Sequence, residues 1–323
     1  MPATKKQIEE LIAGLEPTLR KAFQQAIDDW RRNVDLDALA DALKRGDIEA
    51  GIRAANIQPA ALNGFLTARE AAFEAAGTAE LSSLRLNIIF NARHLRGEQQ
   101  LSRYGAQFVQ AVSDDTKAML RTSLTDSLSR GQGAKAAARG IRDMIGLTDS
   151  QAGWAINLRR KLENDPKGLL SEFAADGYKL RDKRLDGIVR RAVKAEKPIA
   201  AADIEKIVTT YQNRAIRWRS ENIARTETLR AVQAGNFEAY QQAVESGKIA
   251  AQNIRKVWNS AHDNRVRDTH KALDGESVGL NEAFVSPSGA RLRYPLDDTA
   301  PLAEVVNCRC NLTYRIDHLA NIR

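Results

Sequence analysis

The spacing of apolar residues over the first 250 positions constrains this chain more than any other feature. They recur every three or four residues, as on one face of an α-helix, first over 5–32 and then in further segments to about residue 246. Aromatic residues make up only 6% of the chain, which favours helices over a sandwich or barrel of strands. We therefore expect a mainly α protein in which a long helical body comes first.

Helix start and stop signals place several of these helices. One helix is predicted over 114–130, and Gly-Gln-Gly at 131–133 separates it from the next. Thr148 and Gln151 have the spacing of a capping box, which predicts a helix N-terminus. The last and longest helix is predicted over 202–246, with an interruption at Gly235.

The composition changes after Gly247, where short segments rich in β-branched and aromatic residues appear. They lie at 257–258, 284–285, 292–294 and 312–316. The turn-forming sequence Ser-Pro-Ser-Gly at 286–289 predicts a hairpin between its flanks. We expect a small α+β C-terminal domain with the strands confined to it. The predicted domains are an N-terminal helical region over 1–110, a second helical region over 111–250 and the α+β domain over 251–323.

The chain is mildly basic, with a net charge of +8. Charges of both signs are interleaved, and residues 251–323 are almost neutral, so any contact with nucleic acid is expected in the helical part and without sequence specificity. Several arginines follow one another along the long helix. We predict a solvated helix face for them, with Glu221 and Glu227 as partners. The members of this face are Arg214, Arg217, Arg219, Arg225 and Arg230.

The two cysteines of the sequence, Cys308 and Cys310, are separated by one residue. So small a ring strains a disulfide, and two neighbouring thiols in a reducing compartment are better metal ligands. In an extended segment both sulfurs would point to the same side. His270 is predicted to face inward from a short helix, and Asp263 or His262 would complete a tetrahedral zinc site that stabilises a small domain.

A simpler interpretation stays open for these residues. Buried cysteines also act as small apolar side chains, and the histidine would then bind a backbone carbonyl. His94 is expected to be a solvated residue on a helix surface, and His318 is expected to be a bystander. Asp297 and Asp298 are expected to be solvated loop acids, because neighbouring side chains of a strand point to opposite faces.

Motifs for other chemistry are absent from the sequence. It contains no P-loop, no Gly-x-Ser-x-Gly elbow and no His-Glu-x-x-His pair, and no general base stands obviously beside the cysteines. It also has no apolar run of membrane-spanning length, and its first residues lack the apolar stretch typical of a signal peptide. We therefore expect a protein of the cytoplasm that is not an enzyme.

Several motifs in the last third of the chain follow one another in a fixed order. They are Ile223-Ala224-Arg225-Thr226-Glu227-Thr228, then Asp263-Asn264-Arg265-Val266-Arg267 with His270 and Leu273-Asp274-Gly275, then Tyr294-Pro295 with Asp297, then Asn307-Cys308-Arg309-Cys310. With these motifs the chain resembles, over about 115–316, the phage Mu protein F-like domain, the C-terminal domain of tailed-phage minor head (head morphogenesis) proteins. Val266 departs from the family pattern, which often has threonine there.

The resemblance implies a virion component present in few copies. It implies association with the portal protein during procapsid assembly, alongside scaffolding and major capsid proteins, with a part in DNA packaging or ejection left open. The chain would occupy the host cytoplasm during assembly and then the phage head. Family residues taken to suggest metal binding map to Asp263, His270, Cys308 and Cys310, whereas His262 lies outside the pattern.

Two alternatives remain at this point. The first is a zinc-dependent hydrolase or nuclease that uses the same residues, since a catalytic zinc keeps an open position. The second is a virion protein that binds packaged DNA without sequence specificity. Only 13 residues follow Cys310 in this sequence, so no effector domain is expected after it.

Overall fold

The structure is a computed structural model that describes residues 1–317. Helices account for most of this part of the chain up to residue 245. None of the described helices is both long enough and apolar enough to cross a membrane. The α-helices are α1 (Lys5–Arg32), α2 (Leu36–Arg45), α3 (Ile48–Ala54), α4 (Asn63–Leu84), α5 (Leu95–Ser129), α6 (Ala134–Met144), α7 (Asp149–Asn164), α8 (Pro166–Ala174), α9 (Asp186–Lys194), α10 (Ala201–Glu245), α11 (Asp268–Ala272) and α12 (Leu302–Val305).

The strands of the described residues all follow α10. They are β1 (Ile254–Asn259), β2 (Ser277–Gly279), β3 (Phe284–Val285), β4 (Arg291–Leu292) and β5 (Asn311–Ile316). In the first sheet β1 is central and pairs antiparallel with β2 and β5, and β3 and β4 form the predicted hairpin. A mainly α chain that ends in a small α+β region is therefore confirmed. The strand β2, which is only three residues long, was not predicted.

Two compact units make up the chain, and each combines stretches that are far apart in sequence. Helices α1, α5 and α10 contribute residues to both. The predicted domain boundaries near residues 110 and 250 rest on a change in composition and on helix start and stop signals, and they stay a prediction. Unit 1 contains Met1–Phe23, Leu62–Gln107 and the chain from Asn222 onward, and unit 2 contains Gln24–Ala61 and Phe108–Glu221.

Within unit 2, helices α7 to α10 enclose an apolar core that includes the buried side chains of Leu158, Phe173 and Val208. The helix α7 begins at the predicted capping box. The Thr148 hydroxyl accepts a hydrogen bond from the Gln151 backbone N–H at 3.1 Å, and the Gln151 side-chain oxygen accepts one from the Thr148 N–H at 3.0 Å. This exchange satisfies two N–H groups that the helix itself cannot bond.

The substitution Thr148→Ala is expected to lower the free energy of unfolding by about 1 kcal/mol, because it removes the side chain that caps α7. Urea denaturation followed by circular dichroism measures the loss. The matched control is Thr125→Ala on an exposed face of α5, where the hydroxyl bonds only the Arg121 carbonyl within its own helix. Alanine is neutral or slightly favourable there. Equal losses in both variants would contradict the capping role.

The helix α5 begins at Leu95, about 20 residues before the predicted start. Glycines and polar side chains weaken the periodicity of this first part, so the pattern did not reveal it. A Cβ at Gly97 would lie 3.2 Å from the Phe73 ring, and one at Gly105 would lie 3.5 Å from the Leu66 side chain. The first distance is tighter than an ordinary contact, so Gly97 allows α5 to approach α4 closely, whereas the second is an ordinary van der Waals contact.

The predicted interruption of the long helix at Gly235 is wrong, because α10 is continuous from Ala201 to Glu245. A Cβ at Gly235 would lie 2.3 Å from the Phe73 carbonyl oxygen and 3.1 Å from the Ala76 Cβ. Glycine is needed here because the backbone of α4 passes directly against α10.

The C-terminal sheet packs on the second half of α10 within unit 1. Tyr240 of α10 stacks on Tyr314 of β5 with ring centroids 4.0 Å apart. The Gln233 side-chain oxygen accepts a hydrogen bond from the Leu312 N–H at 3.3 Å. The α+β region and the second half of α10 therefore share one core.

The predicted solvated arginine face on α10 is wrong for two of its five members. Arg219 and Arg230 are 7% and 5% exposed. Within unit 2, Arg219 pairs with Asp115 at 2.7 Å. Within unit 1, Arg230 pairs at 2.7 Å with Glu227, which is itself buried. Helical periodicity marks which residues share a face, but the packing decides which face is covered.

The side chains of Asp297 and Asp298 are also buried rather than solvated. The Asp297 carboxylate accepts hydrogen bonds from Arg293, the shortest at 2.7 Å, and from the Thr299 hydroxyl at 2.8 Å. The side chain of Asp298 pairs with Arg103 of α5 at 2.7 Å. These two acids therefore anchor the loop after β4 through ion pairs.

Candidate metal centre

His270 lies on the short helix α11 and is 1% exposed. Its ring meets the indole of Trp258 from β1 edge to face, with centroids 5.1 Å apart. The predicted inward orientation of this histidine is therefore correct. The helix and the central strand hold its ring in one position.

Cys308 and Cys310 lie in the turn between α12 and β5, and both are buried. Asn307 has a positive φ of 57°, which bends the chain just before the first cysteine. The Cys310 N–H donates to the Cys308 sulfur at 3.4 Å, which links the two cysteines within the turn. The segment forms a tight turn, and the two sulfurs still face one side, as predicted for an extended chain.

The three side chains converge on one point. The Nδ1 atom of His270 lies 3.5 Å from the sulfur of Cys308 and 3.5 Å from that of Cys310. Their donor atoms all lie within 4.8 Å of one another, and no other such group of His, Cys, Asp or Glu occurs in residues 1–317. This cluster could hold a metal ion.

The geometry and the donor types fit zinc. A tetrahedral zinc with bonds of about 2.3 Å to sulfur and about 2.0–2.1 Å to nitrogen separates those two ligand atoms by about 3.5 Å. Both sulfur–nitrogen distances in the cluster have this value. One imidazole and two thiols are also the ligand set that zinc prefers over magnesium or calcium.

Glu304 of α12 lies on the other side of the histidine. Its Oε2 atom is 2.9 Å from His270 Nε2, although the ring N–H does not point along that line well enough for a hydrogen bond. A carboxylate in this position orients a ligating imidazole and leaves the opposite nitrogen free for the metal.

Hydroxyl groups in turn hold Glu304, which is 4% exposed. Its carboxylate accepts hydrogen bonds from Ser288 at 2.5 Å, Thr269 at 3.0 Å and Ser286 at 3.2 Å. Burial raises the pKa of Glu304, but these hydrogen bonds and the nearby His270 outweigh it, so the pKa lies below its usual value. Glu304 is therefore held as a carboxylate.

The two thiols differ in acidity. The side chain of Cys308 lowers the pKa of Cys310 against the opposing effect of burial, and His270 and Trp258 lower it further. The same interaction raises the pKa of Cys308. One sulfur of the pair is therefore predisposed to be a thiolate, the form that binds a metal.

The structure does not bring Asp263 into this cluster. Its carboxylate forms a two-point ion pair with the guanidinium of Arg309, and Oδ1 also accepts the Arg265 N–H at 2.9 Å. The hydrogen bond from Arg309 lowers the pKa of Asp263. Since Arg309 stands between the two cysteines, Asp263 holds the turn that carries them.

The remaining histidines are not part of the cluster. His262 is largely exposed, and its Nδ1 lies 3.5 Å from an oxygen of Asp274. His94 is not freely solvated as predicted, because it lies within 3.4 Å of carboxylate oxygens of Glu238 and Glu245. His318 lies outside the described residues.

Sequence reasoning missed Glu304 entirely. The only signal is its place as a lone acid in the apolar stretch Leu302–Val306, shortly before Cys308. A charged residue in such a stretch indicates a buried polar partner. The identity of that partner follows only from the fold.

Comparisons with known proteins place this site inside a known family region. Residues 196–313 match the family described as "Phage Mu protein F like protein". That region contains the cluster of His270, Cys308 and Cys310 as well as Glu304. It is shorter at its start than the predicted match over 115–316.

Three curated proteins are similar to parts of the chain. The minor head protein GP7 of Bacillus phage SPP1 is 36% identical over 29% of this chain and 29% of its own length. An NAD(+)--arginine ADP-ribosyltransferase EFV of Enterococcus faecalis is 29% identical over 44% of this chain and 28% of its own. The uncharacterized protein YqbB of Bacillus subtilis is 33% identical over 31% and 32%.

The chain therefore spans about a third or less of the length of each of these relatives. No solved structure matches the chain. The head role in the first name and the activity named for the transferase are each those of the named protein.

Proposed function

Because this chain carries a phage Mu protein F-like domain over residues 196–313, we propose that it is a minor head protein of a tailed bacteriophage. The observation that carries the proposal is this domain together with the 36% identity to a phage minor head protein. The chain would act in procapsid assembly at the portal, in contact with scaffolding and major capsid proteins. It would occupy the host cytoplasm during assembly and the phage head afterwards.

The proposed role of the metal centre is structural. His270, Cys308 and Cys310 would hold one zinc ion, which supplies a cross-link between α11 and the turn before β5. The 3.5 Å distances from His270 Nδ1 to the two sulfurs and the burial of all three side chains support this assignment. Asp263 stays the sequence-based candidate for a fourth ligand, and it would have to leave Arg309 to bind.

Assembly in the presence and absence of the portal tests the head role. Procapsids assembled from the cognate major capsid and scaffolding proteins should take up this chain in few copies when the portal is present. Sedimentation followed by quantitative mass spectrometry of the particles measures the uptake. The matched comparison omits only the portal protein.

Each outcome of that assembly experiment has a clear meaning. Loss of the chain from particles that lack the portal supports portal association. Equal uptake with and without the portal contradicts that association but keeps the head role. A chain that stays in the soluble fraction in both cases contradicts the head role itself.

A zinc-dependent hydrolase is less well supported. Three protein ligands would leave an open position on the zinc, as catalysis requires. However, His270, Cys308 and Cys310 are each at most 4% exposed, so a substrate has little access to them. Glu304 lies on the far nitrogen of His270 and is poorly placed to act as a general base on a zinc-bound water. We therefore propose a protein that is not an enzyme.

Binding of packaged DNA is a second possible activity of the same virion protein. The net charge of +8 supports it weakly, and it would rest on phosphate contacts alone. Its affinity for unrelated duplexes should then be similar at fixed salt and fall steeply as the salt concentration rises. A strong preference for one sequence would exclude this form of binding.

A further inference from the structure

One polar group beside the candidate metal centre has no hydrogen-bond partner. It is the indole N–H of Trp258, a fully buried residue of the central strand β1. No atom of residues 1–317 accepts a hydrogen bond from this group. Buried polar groups in proteins are nearly always hydrogen-bonded, so an unpartnered N–H at this place requires an explanation.

The other tryptophans of the chain differ from Trp258 in this respect. Trp30 is also buried, but its indole N–H donates to the Gln58 carbonyl at 2.8 Å. Trp154 and Trp218 are 51% and 47% exposed. Of the four tryptophans, all of which lie in the described residues, Trp258 is therefore the one whose indole N–H is buried without a partner.

Neighbouring strands and rings fix the orientation of this indole. Trp258 pairs with Leu312 of β5, and its backbone N–H donates to the Glu276 carbonyl at 3.0 Å. The rings of His270 and Phe284 each meet the indole edge to face, with centroids 5.1 Å and 5.2 Å away. Because these contacts hold the ring in a packed core, the indole N–H stays directed at its present neighbours.

The neighbour that suits this N–H is the sulfur of Cys310, two residues before Leu312. Cys308 lowers the pKa of Cys310 most, against the opposing effect of burial, and His270 and the Trp258 indole lower it further, the indole as a hydrogen-bond donor. A neutral thiol is only a weak acceptor, whereas a thiolate accepts a strong, charge-assisted hydrogen bond. The unpartnered indole N–H is therefore matched to a thiolate at position 310.

We propose that Trp258 is a positioning residue of the metal centre, whose indole N–H donates to the Cys310 sulfur when that sulfur binds zinc as a thiolate. The inference rests on the proposed zinc site. Each of the three ligands then has a partner of its own, since Glu304 lies against His270 and the Cys308 sulfur accepts the Cys310 N–H at 3.4 Å. Partners of this kind hold metal ligands in place and determine how tightly the metal is bound.

Two replacements of Trp258 remove the indole N–H. Trp258→Phe keeps a buried aromatic ring of smaller size. Incorporation of 3-benzothienylalanine at position 258 keeps the shape of the ring system and exchanges only the N–H for a sulfur atom. The matched control is Trp30→Phe in unit 2, which removes a buried indole N–H far in sequence from the metal ligands.

The first readout is the zinc affinity of the full chain, measured by competition with a chelator of known affinity. Both replacements at position 258 should weaken zinc binding by about tenfold or more, the usual effect of removing a partner of a metal ligand. Trp30→Phe should bind zinc as tightly as the wild type, because the Gln58 carbonyl and not a metal ligand accepts its N–H.

The second readout is the absorption spectrum of the chain loaded with cobalt(II). A hydrogen bond to a thiolate lowers the energy of the sulfur electrons, so its loss should move the sulfur-to-cobalt charge-transfer band to longer wavelength. The band of Trp30→Phe should keep the wild-type position. A purely structural role of Trp258 predicts lower stability without this shift.

The benzothienylalanine protein decides the inference, also in the case that Trp258→Phe does not fold. Wild-type zinc affinity together with an unshifted cobalt band would overturn the role of Trp258 and leave the metal centre intact. Weaker affinity with an unshifted band would overturn it too, because packing and not a hydrogen bond would then explain the loss. A wild-type protein that binds neither zinc nor cobalt would instead remove the metal centre itself, and this role with it.

Discussion

The substitution Cys308→Ser is expected to abolish metal binding and to destabilise unit 1. Wild-type protein purified without chelator should contain about one equivalent of zinc, and the variant less than about a tenth. Because the free energy of zinc binding adds to that of folding, the unfolding temperature of the variant should fall well below that of the wild type. Elemental analysis and calorimetry measure the two effects.

Three controls sharpen this prediction. His270→Ala should lose the metal as completely as Cys308→Ser. Asp263→Asn should keep the metal if Asp263 remains paired with Arg309, and should lose it if Asp263 is the fourth ligand. With a chelator present, the wild type should unfold at nearly the same temperature as Cys308→Ser, since neither protein then holds a zinc ion.

A protein without bound zinc would contradict this prediction. Wild-type protein without zinc, and with an unfolding temperature that neither a chelator nor Cys308→Ser changes, would exclude a structural metal. The two cysteines would then be small buried side chains hydrogen-bonded to each other and to His270. The proposed head role does not depend on this outcome, because it rests on the family match.

The substitution Gly235→Ala is expected to lower the free energy of unfolding by about 2 kcal/mol or more, although alanine is the better helix former. The added Cβ would lie 2.3 Å from the Phe73 carbonyl oxygen, so α10 and α4 would have to move apart. That movement would loosen the packing of Ile8, Ala76 and Val232, which form a buried cluster. Chemical denaturation gives the magnitude.

The matched control is Gly14→Ala in α1, where a Cβ would meet nothing within 4 Å. The free energy of unfolding of that variant should rise by about 0.5–1 kcal/mol, because alanine loses less backbone entropy than glycine when a helix forms. Higher stability of both variants would show that α10 and α4 are not held at the distance seen here. Lower stability of Gly235→Ala with higher stability of Gly14→Ala would support a close contact between these two helices.

Local patterns in the sequence were sufficient for much of the fold. The spacing of apolar residues predicted α1 and the placement of all described strands after residue 250, because periodicity reports which side of an element is buried. The capping box at Thr148 and the turn at 286–289 were also correct, since both depend on residues that are neighbours in sequence. The same signals failed at the start of α5, where glycines weaken the periodicity and Gly97 serves a close contact with α4.

For the candidate metal centre, too, local sequence patterns predicted some features and missed others. Residue types and the one-residue spacing indicated Cys308 and Cys310, and an inward-facing His270 followed from a short helical pattern. The actual partners of Asp263 and Glu304 were beyond the sequence, because both are acids at some distance along the chain from the histidine. Only the fold brings the Glu304 carboxylate next to the His270 ring and the Asp263 carboxylate next to the Arg309 guanidinium.

The sequence by itself therefore determined the helical body, the strands of the C-terminal region and the three donor side chains of the candidate metal centre. The tertiary structure decided that residues 1–23 and 62–107 share a compact unit with that region, and that Arg230, Asp297 and Glu227 are buried. The physical reason is the range of the interactions. Hydrophobic periodicity and capping act within a few residues, whereas a buried charge or a close glycine contact depends on a partner that only chain folding brings near.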